Sequence, residues 1–215
     1  MRLFLVRHGV TPYNLQARYT GQADIPLSPL GVREAEAVGL RLASEHIDAV
    51  VSSDLERARV TAQAIAQHHG LSVLEDPDLR ETGLGNWEGL TFAEVRAQQP
   101  DLLLHWYLEP GAAPHGGETM FQVRERAERA LARWQALYPE GAVVWSTHGG
   151  FIGIMLCHLL GLDLTHRRQF RLGNTSITAV DFSRSYPVLL YVNETAHTRG
   201  LSADDELDSA STSIR

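Results

Sequence analysis

The sequence predicts an α/β fold: a three-layer αβα sandwich with a mostly parallel central sheet and a lid of helix and loop inserted in it. Three observations predict it. Short apolar runs of strand character alternate with longer stretches of helical periodicity, the rhythm of βαβ units. Two of those runs end on His-Gly, at the edge where open α/β sheets bind ligands. One glycine- and proline-rich stretch, residues 83–118, interrupts the rhythm once.

The elements follow in order. Leu3-Phe4-Leu5-Val6 is a short buried strand, with Arg7-His8-Gly9 at its carboxyl end. From there to about residue 27 the turn formers Thr11-Pro12, Asn14, Thr20-Gly21 and Pro26 read as an extended loop. Ser28 caps a helix with Pro29 in its first position and Leu30, Ala35, Val38 and Leu42 on its apolar side. Asp48 to Ser53 forms a second buried strand, and Asp54 opens a helix running to about His69 and closed by Gly70.

Within the lid, a short helix is expected near Thr91 to Gln98. Thr119 and Gln122 then form a capping box for a long helix with Val123, Ala127, Ala130, Leu131, Trp134 and Leu137 on one face. Its arginines and glutamates read as a solvated face. Ala142 to Thr147 is the next strand, and His148-Gly149-Gly150 leads into an apolar helix ending at Gly161. Ile177 to Phe182 and Pro187 to Val192 are the last strands. One domain therefore spans residues 1–198, and the acidic, serine-rich residues 199–215 are expected to be a disordered tail.

At 215 residues the chain suits one domain with an elaborated loop. Its 44% apolar and 21% charged content is ordinary for a globular protein, and no apolar stretch approaches a membrane span. The first apolar run stops after four residues, unlike a secretory leader, and the single Cys157 cannot form an internal disulfide; both fit a cytoplasmic protein. A net charge of −7 argues against a nucleic-acid partner and asks any anionic substrate to find a local positive pocket. All 19 basic residues are arginine. The absence of lysine removes P-loop, Schiff-base and Ser-Lys chemistry, and leaves the guanidinium fork for phosphate or carboxylate oxygens.

Four pieces of sequence carry candidate chemistry. His8-Gly9 and His148-Gly149-Gly150 place an imidazole and close-approach glycines at two strand ends, the second leading into a helix N-terminus whose N–H groups suit an anion. In SSDLERARVTA, Arg57 stands in the first turn of a helix, where a cation is disfavoured unless an anion is near; a pair with Glu56 or Asp54 is the simpler reading, but two histidines and Arg7 on neighbouring strand ends favour a phosphate pocket. In Leu79-Arg80-Glu81, the carboxyl could donate a proton beside a cationic pocket or simply pair with Arg80. Arg7 and His8 could likewise be a surface ion pair and a loop histidine.

Together, RHG at the first strand end, SSDLERARVTA, LRETGLGNWEG and STHGG resemble the histidine phosphatase superfamily, in its phosphoglycerate mutase-like branch, from Arg2 to His197. The resemblance implies that His8 becomes phosphorylated, that Arg7, Arg57 and His148 form the phosphate pocket, and that Glu81 is the general acid and base. It further implies Asn14 and Gln22 as pocket residues. Pro114-His115-Gly116-Gly117-Glu118 resembles a substrate-proximal loop, which makes His115 a candidate binding residue beside Gly149. Asn193-Glu194-Thr195-Ala196-His197 matches a common C-terminal signature.

The implied activity is hydrolysis of a small phosphomonoester of the sugar- or glycerate-phosphate type, through phosphohistidine. A phosphoglycerate mutase is the nearest alternative, although such mutases carry a longer insertion than Gly83 to Glu118; α-ribazole and phosphoserine phosphatases share much of the same frame. A catalytically idle phosphoprotein-binding module is disfavoured by the presence of Glu81. There is no Asp-x-Asp at the first strand end and no Gly-x-Ser-x-Gly elbow. His68-His69, His105 and His166 lack metal-ligand spacing, so neither metal nor cofactor is expected. The expected partner is a small molecule, with neither nucleic acid nor membrane; a homodimer is left open.

Overall fold

The computed structural model describes residues 1–202. Its six-stranded sheet has the order β3-β2-β4-β1-β5-β6, with β1 (Arg2–Arg7), β2 (Ala49–Ser52), β3 (Val73–Glu75), β4 (Ala142–Thr147), β5 (Ile177–Asp181) and β6 (Val188–Glu194). The strands β3, β2, β4 and β1 run parallel, and β5 and β6 add an antiparallel edge. In β1, Leu3 and Leu5 point to one face of the sheet while Phe4 and Val6 point to the other, and all four are buried. A strand apolar on both faces needs helices on both sides.

The two sides are supplied by pairs of helices. Helices α2 (Pro29–Leu42) and α3 (Glu56–Ala66) cover Phe4 and Val6 with Val38, Leu42, Ala62 and Ile65. Helices α6 (Met120–Leu137) and α7 (Gly149–Leu160) cover Leu3 and Leu5 with Val123, Ala127, Phe151 and Ile152. This is the three-layer arrangement expected from the sequence. The lid carries α4 (Phe92–Gln98) and α5 (Pro100–Leu108) and has a small core of its own, in which Trp87 and Trp106 meet edge to face with ring centroids 5.5 Å apart.

Several local expectations are corrected. The loop after β1 contains a single helical turn, α1 (Pro12–Leu15), closed by a reciprocal Thr11–Asn14 capping box. Helix α3 starts at Glu56 with Leu55 at its N-cap, because Asp54 is engaged by Arg80. The edge strand β3 is too short and exposed to show a period, and α5 begins on Pro100, whose fixed φ suits a first helical turn. The residues expected to form a tail lie, from 203 onward, outside the described residues.

One backbone crossing fixes where the end of β1 goes. Val10 O accepts hydrogen bonds from the Ser28 N–H at 2.9 Å and the Ser28 hydroxyl at 3.1 Å, drawing the start of α2 against Gly9-Val10. A Cβ on Gly31 would strike the Val10 carbonyl, and one on Gly9 would strike that of Gly31. Both neighbours are backbone and cannot rotate away. Gly31→Ala is therefore expected to destabilise the protein by about 1–3 kcal/mol despite alanine's better helix propensity. The measurement is thermal unfolding; an unchanged or raised Tm would show that the crossing is loose.

Candidate active site

Strand register assembles the site. Arg7 pairs with Thr147 and Ser52 with Ser146, so the residues that follow, His8, His148 and Ser53, emerge side by side at the carboxyl edge. The His8 N–H donates to Thr147 O at 2.9 Å, and the two imidazole centroids lie 5.1 Å apart. Nδ1 of His8 is 2.7 Å from Gly9 O. A carbonyl only accepts, so Nδ1 carries the hydrogen and the lone pair of the neutral ring is on Nε2. Burial, then the charges of Arg57 and Arg7, hold the His8 imidazole well below its ordinary pKa. His148 is lowered in the same direction, again first by burial.

Both arginines are anchored by main-chain carbonyls. Arg7 Nη1 donates to Leu172 O at 2.6 Å, while Arg57 Nη1 and Nη2 donate to Ala23 O and Gly21 O at 2.8 Å each. The simpler sequence reading of Arg57, a pair with Glu56 or Asp54, is not what the structure contains. Asp54 instead takes Arg80, at 2.7 Å from Nε and 2.6 Å from Nη2, which also frees Glu81 from that role. The Nε atoms of Arg7 and Arg57 are buried without partners. Such donors are costly unless something fills the site.

Glu81 occupies the N-terminus of α7. Its Oε1 accepts from the Thr82 N–H at 2.8 Å and the Phe151 N–H at 3.0 Å, and its Oε2 accepts from the Gly150 N–H at 3.0 Å. The N-terminal amides expected to face a bound anion are thus partly committed to this carboxylate, a favourable partner for the helix dipole. A Cβ on Gly150 would come within 2.5 Å of Oε1, so glycine there is what lets the carboxyl seat. Behind it, Arg126 of α6 donates to the carbonyls of Asp78, Arg80 and Glu81 and pairs with Glu118. Arg126 is therefore not part of a solvated face: it is 6% exposed and fixes the main chain that carries Glu81.

These groups open into a cleft of about 580 Å³. Arg7, His8, Asn14, Arg57, Glu81 and Gly149 line it; His148, fully buried, does not, and its ring lies against that of His8. Gln22 and His115, expected as binding residues, do not line it. The Gln22 amide nitrogen is spent on Glu81 O and Glu118 Oε2, and His115 lies exposed with its carbonyl accepting from the Asn86 N–H. Sequence reading missed Asn174, whose amide nitrogen bonds His8 O at 3.1 Å and Asn14 Oδ1 at 3.2 Å. It missed Arg18, Arg167 and Arg168 as well, which line the cleft from the lid side and from the segment after α7.

Buried paired histidines, anchored arginines and a capped carboxylate at the carboxyl edge of such a sheet are the features of one enzyme class. The chain belongs to the histidine phosphatase superfamily (branch 1), whose sequence profile matches residues 3–195. It is 40% identical over 173 residues to a glucosyl-3-phosphoglycerate phosphatase of Mycobacterium tuberculosis, covering 77% of this chain and 78% of that protein. It is 35% identical over 190 residues to a probable phosphoglycerate mutase of Proteus mirabilis, covering 86% of each. Among solved structures, a mycobacterial glucosyl-3-phosphoglycerate phosphatase in complex with VO3 superposes with a TM-score of 0.83 at 36% identity, over 89% of this chain and 98% of that one.

The depressed histidines couple the site to stability. A group held neutral in the fold but free to protonate when unfolded makes the unfolded state bind more protons, so stability rises with pH and is lost as pH falls below about 6.5. Each of His8 and His148 contributes a slope of up to about 1.4 kcal/mol per pH unit in that range. Urea unfolding of His8→Asn between about pH 5 and 6.5 is expected to show a shallower acid slope than the parent. An identical slope would mean that His8 is charged in the fold.

Proposed function

We propose that this chain is a phosphomonoester hydrolase that acts on a small sugar- or glycerate-type phosphate through a phosphohistidine at His8. The observation that carries this reading is the His8 ring: Nδ1 is committed to Gly9 O, the ring is kept neutral by burial, and Nε2 faces a cleft with Arg7 and Arg57. Neutral imidazole is the nucleophilic form. In the first step the P–N bond to Nε2 forms as the ester P–O bond breaks, and the unfilled guanidinium donors take the equatorial oxygens. The tautomer of His148 whose Nε2 accepts the Ser53 hydroxyl proton leaves an Nδ1–H donor, the ring atom now buried without a partner, for the same charge.

Glu81 gives its proton to the departing alkoxide. Water then attacks phosphorus, the P–N bond breaks, and the ionised Glu81 takes the water's proton. Of its two oxygens, Oε2 accepts one amide and Oε1 two, so Oε2 has the lone pair free to carry the proton. A mutase shares the first half of this chemistry and returns the phosphoryl group to a phosphoglycerate. The higher identity to a phosphatase, 40% against 35%, favours water as the acceptor. Cys157, buried and unpaired, fits a cytoplasmic setting.

Two experiments test the assignment. Rapid quench with substrate is expected to trap an acid-labile, base-stable phosphoenzyme that is absent in His8→Ala; normal turnover without it would end the proposal. For Glu81→Gln, an aliphatic phosphate is expected to react about 10²–10⁴-fold more slowly, because its alkoxide needs the proton. With p-nitrophenyl phosphate the same variant should still release a burst of nitrophenol, then turn over slowly for want of a base. Equal slowing of the burst on both substrates would assign Glu81 a structural role only.

A further inference from the structure

The cleft is more cationic than one phosphoryl group requires. Five guanidinium groups line it, those of Arg7, Arg18, Arg57, Arg167 and Arg168, against the single carboxylate of Glu81. They divide into two sets. Arg7 and Arg57 face the reacting histidine, and after burial the charge that acts on each most strongly is Glu81. Arg167 is influenced, after burial, by Arg168, Tyr107 and Cys157, and by none of the groups around His8. Arg18 is already engaged, with Gly89 O at 2.6 Å and Glu94 at 3.6 Å.

Arg167 and Arg168 have no such compensation. Arg167 is only 6% exposed; it lies over the Trp106 ring at 4.8 Å and donates Nη2 to Trp106 O at 3.3 Å, while its Nη1 is buried without a partner. Burial pulls its pKa down to about 10, which still leaves it charged at neutral pH. Arg168 is exposed and stacks on Tyr107 at 4.2 Å. Neither makes an ion pair among the described residues. A buried cation lacking a counter-ion is expensive to keep, and in a ligand cleft the missing counter-ion is most simply the ligand.

The connection to the catalytic end is short. Phe170 and Leu172 also line the cleft, and Leu172 O holds Arg7. The four steps of chain from Arg168 to Leu172 span at most about 14 Å, a reach suited to a small organic skeleton lying over an apolar floor. We infer that Arg167 and Arg168 form a second anion subsite, so that the preferred substrate carries, besides the phosphoryl group delivered to His8, a carboxylate or second phosphate on its leaving group. This rests on the phosphatase reading above and narrows its substrate class. Arginine suits the task because its fork meets either oxyanion with paired donors.

The test compares substrates that differ at one group. Glycerol 3-phosphate carries a hydroxymethyl where 3-phosphoglycerate carries a carboxylate, and glycerol 1,3-bisphosphate carries a second phosphate there. The parent protein is expected to favour one of the two compounds that carry a second anionic group by about tenfold or more in kcat/KM, and which one identifies the anion. In Arg168→Gln, and in Arg167→Met if it folds, that preference should fall at least about tenfold, with Arg168→Lys restoring part of it. Arg168 is exposed, so its variant keeps the test available if the Arg167 variant does not fold. A preference that is absent in the parent, or unmoved by Arg168→Gln, overturns the subsite while leaving the phosphatase reading intact. Failure of the parent to hydrolyse any of the three compounds or p-nitrophenyl phosphate overturns that reading instead.

Discussion

The seating of Glu81 on the first amides of α7 is the contact on which the rest of the site depends. A helix N-terminus offers several unpaired N–H groups and the positive end of a dipole, enough to hold one anion well. Here that capacity goes to the carboxylate, with Gly150 and Phe151 as donors. Any further negative charge entering the cleft therefore falls to side chains, and two arginines are buried at this edge of the sheet with Nε atoms unfilled. The same seating explains why glycine is required at 150, where any side chain would enter the carboxylate's space.

A carboxylate on a loop would not keep this position by itself. Residues 78 to 81 are held from behind by Arg126, whose guanidinium is saturated by three main-chain carbonyls and Glu118. Glu118 in turn accepts from the Gly83 N–H and the Gln22 amide, tying the lid's two ends and the loop after β1 to the same point. Replacing a buried ion pair with apolar groups is often neutral or stabilising, so this one is poorly explained as a source of stability. Its use is positional: one cation fixes the segment that carries Glu81, the start of the lid and the start of α6 relative to each other.

The β1, β2 and β4 strands and the helices packed on them were legible because their signals are local: apolar runs, caps and a 3.6-residue stripe. The residues at the strand ends were legible for the same reason, since parallel register turns positions 8 and 148 into neighbours without further information. What sequence hid depended on contacts made across long separations. Gln22 carries the right chemistry for a pocket but is consumed by Glu118, 96 residues away. Arg126 sits in a helix whose charge pattern reads as exposed, and only the carbonyls arriving from residues 78 to 81 show otherwise. Asn174 and Arg167 lie in a segment with no strong period, reaching the site through a turn that pairs Thr175 with His8. The helical turn at residues 12–15 had a cap signal in Thr11-Pro12, obscured by its brevity.

Burial does two different things at this edge, and the chemistry needs both. Withdrawing an imidazole from water among cations removes its proton, because its ordinary pKa, about 6.5, leaves little room below neutrality. Withdrawing a guanidinium from water lowers its pKa as well, as it does for Arg7 and Arg57, but a group that starts so far above neutrality stays protonated. One pocket thus contains a neutral imidazole and permanent positive charges side by side. Lysine would not separate the two so cleanly, since a buried ammonium gives up its proton readily. A chain with a net charge of −7 that carries all its basic residues as arginine can concentrate fixed positive charge in its cleft, and the histidine among those charges is held neutral first by its burial and then by them.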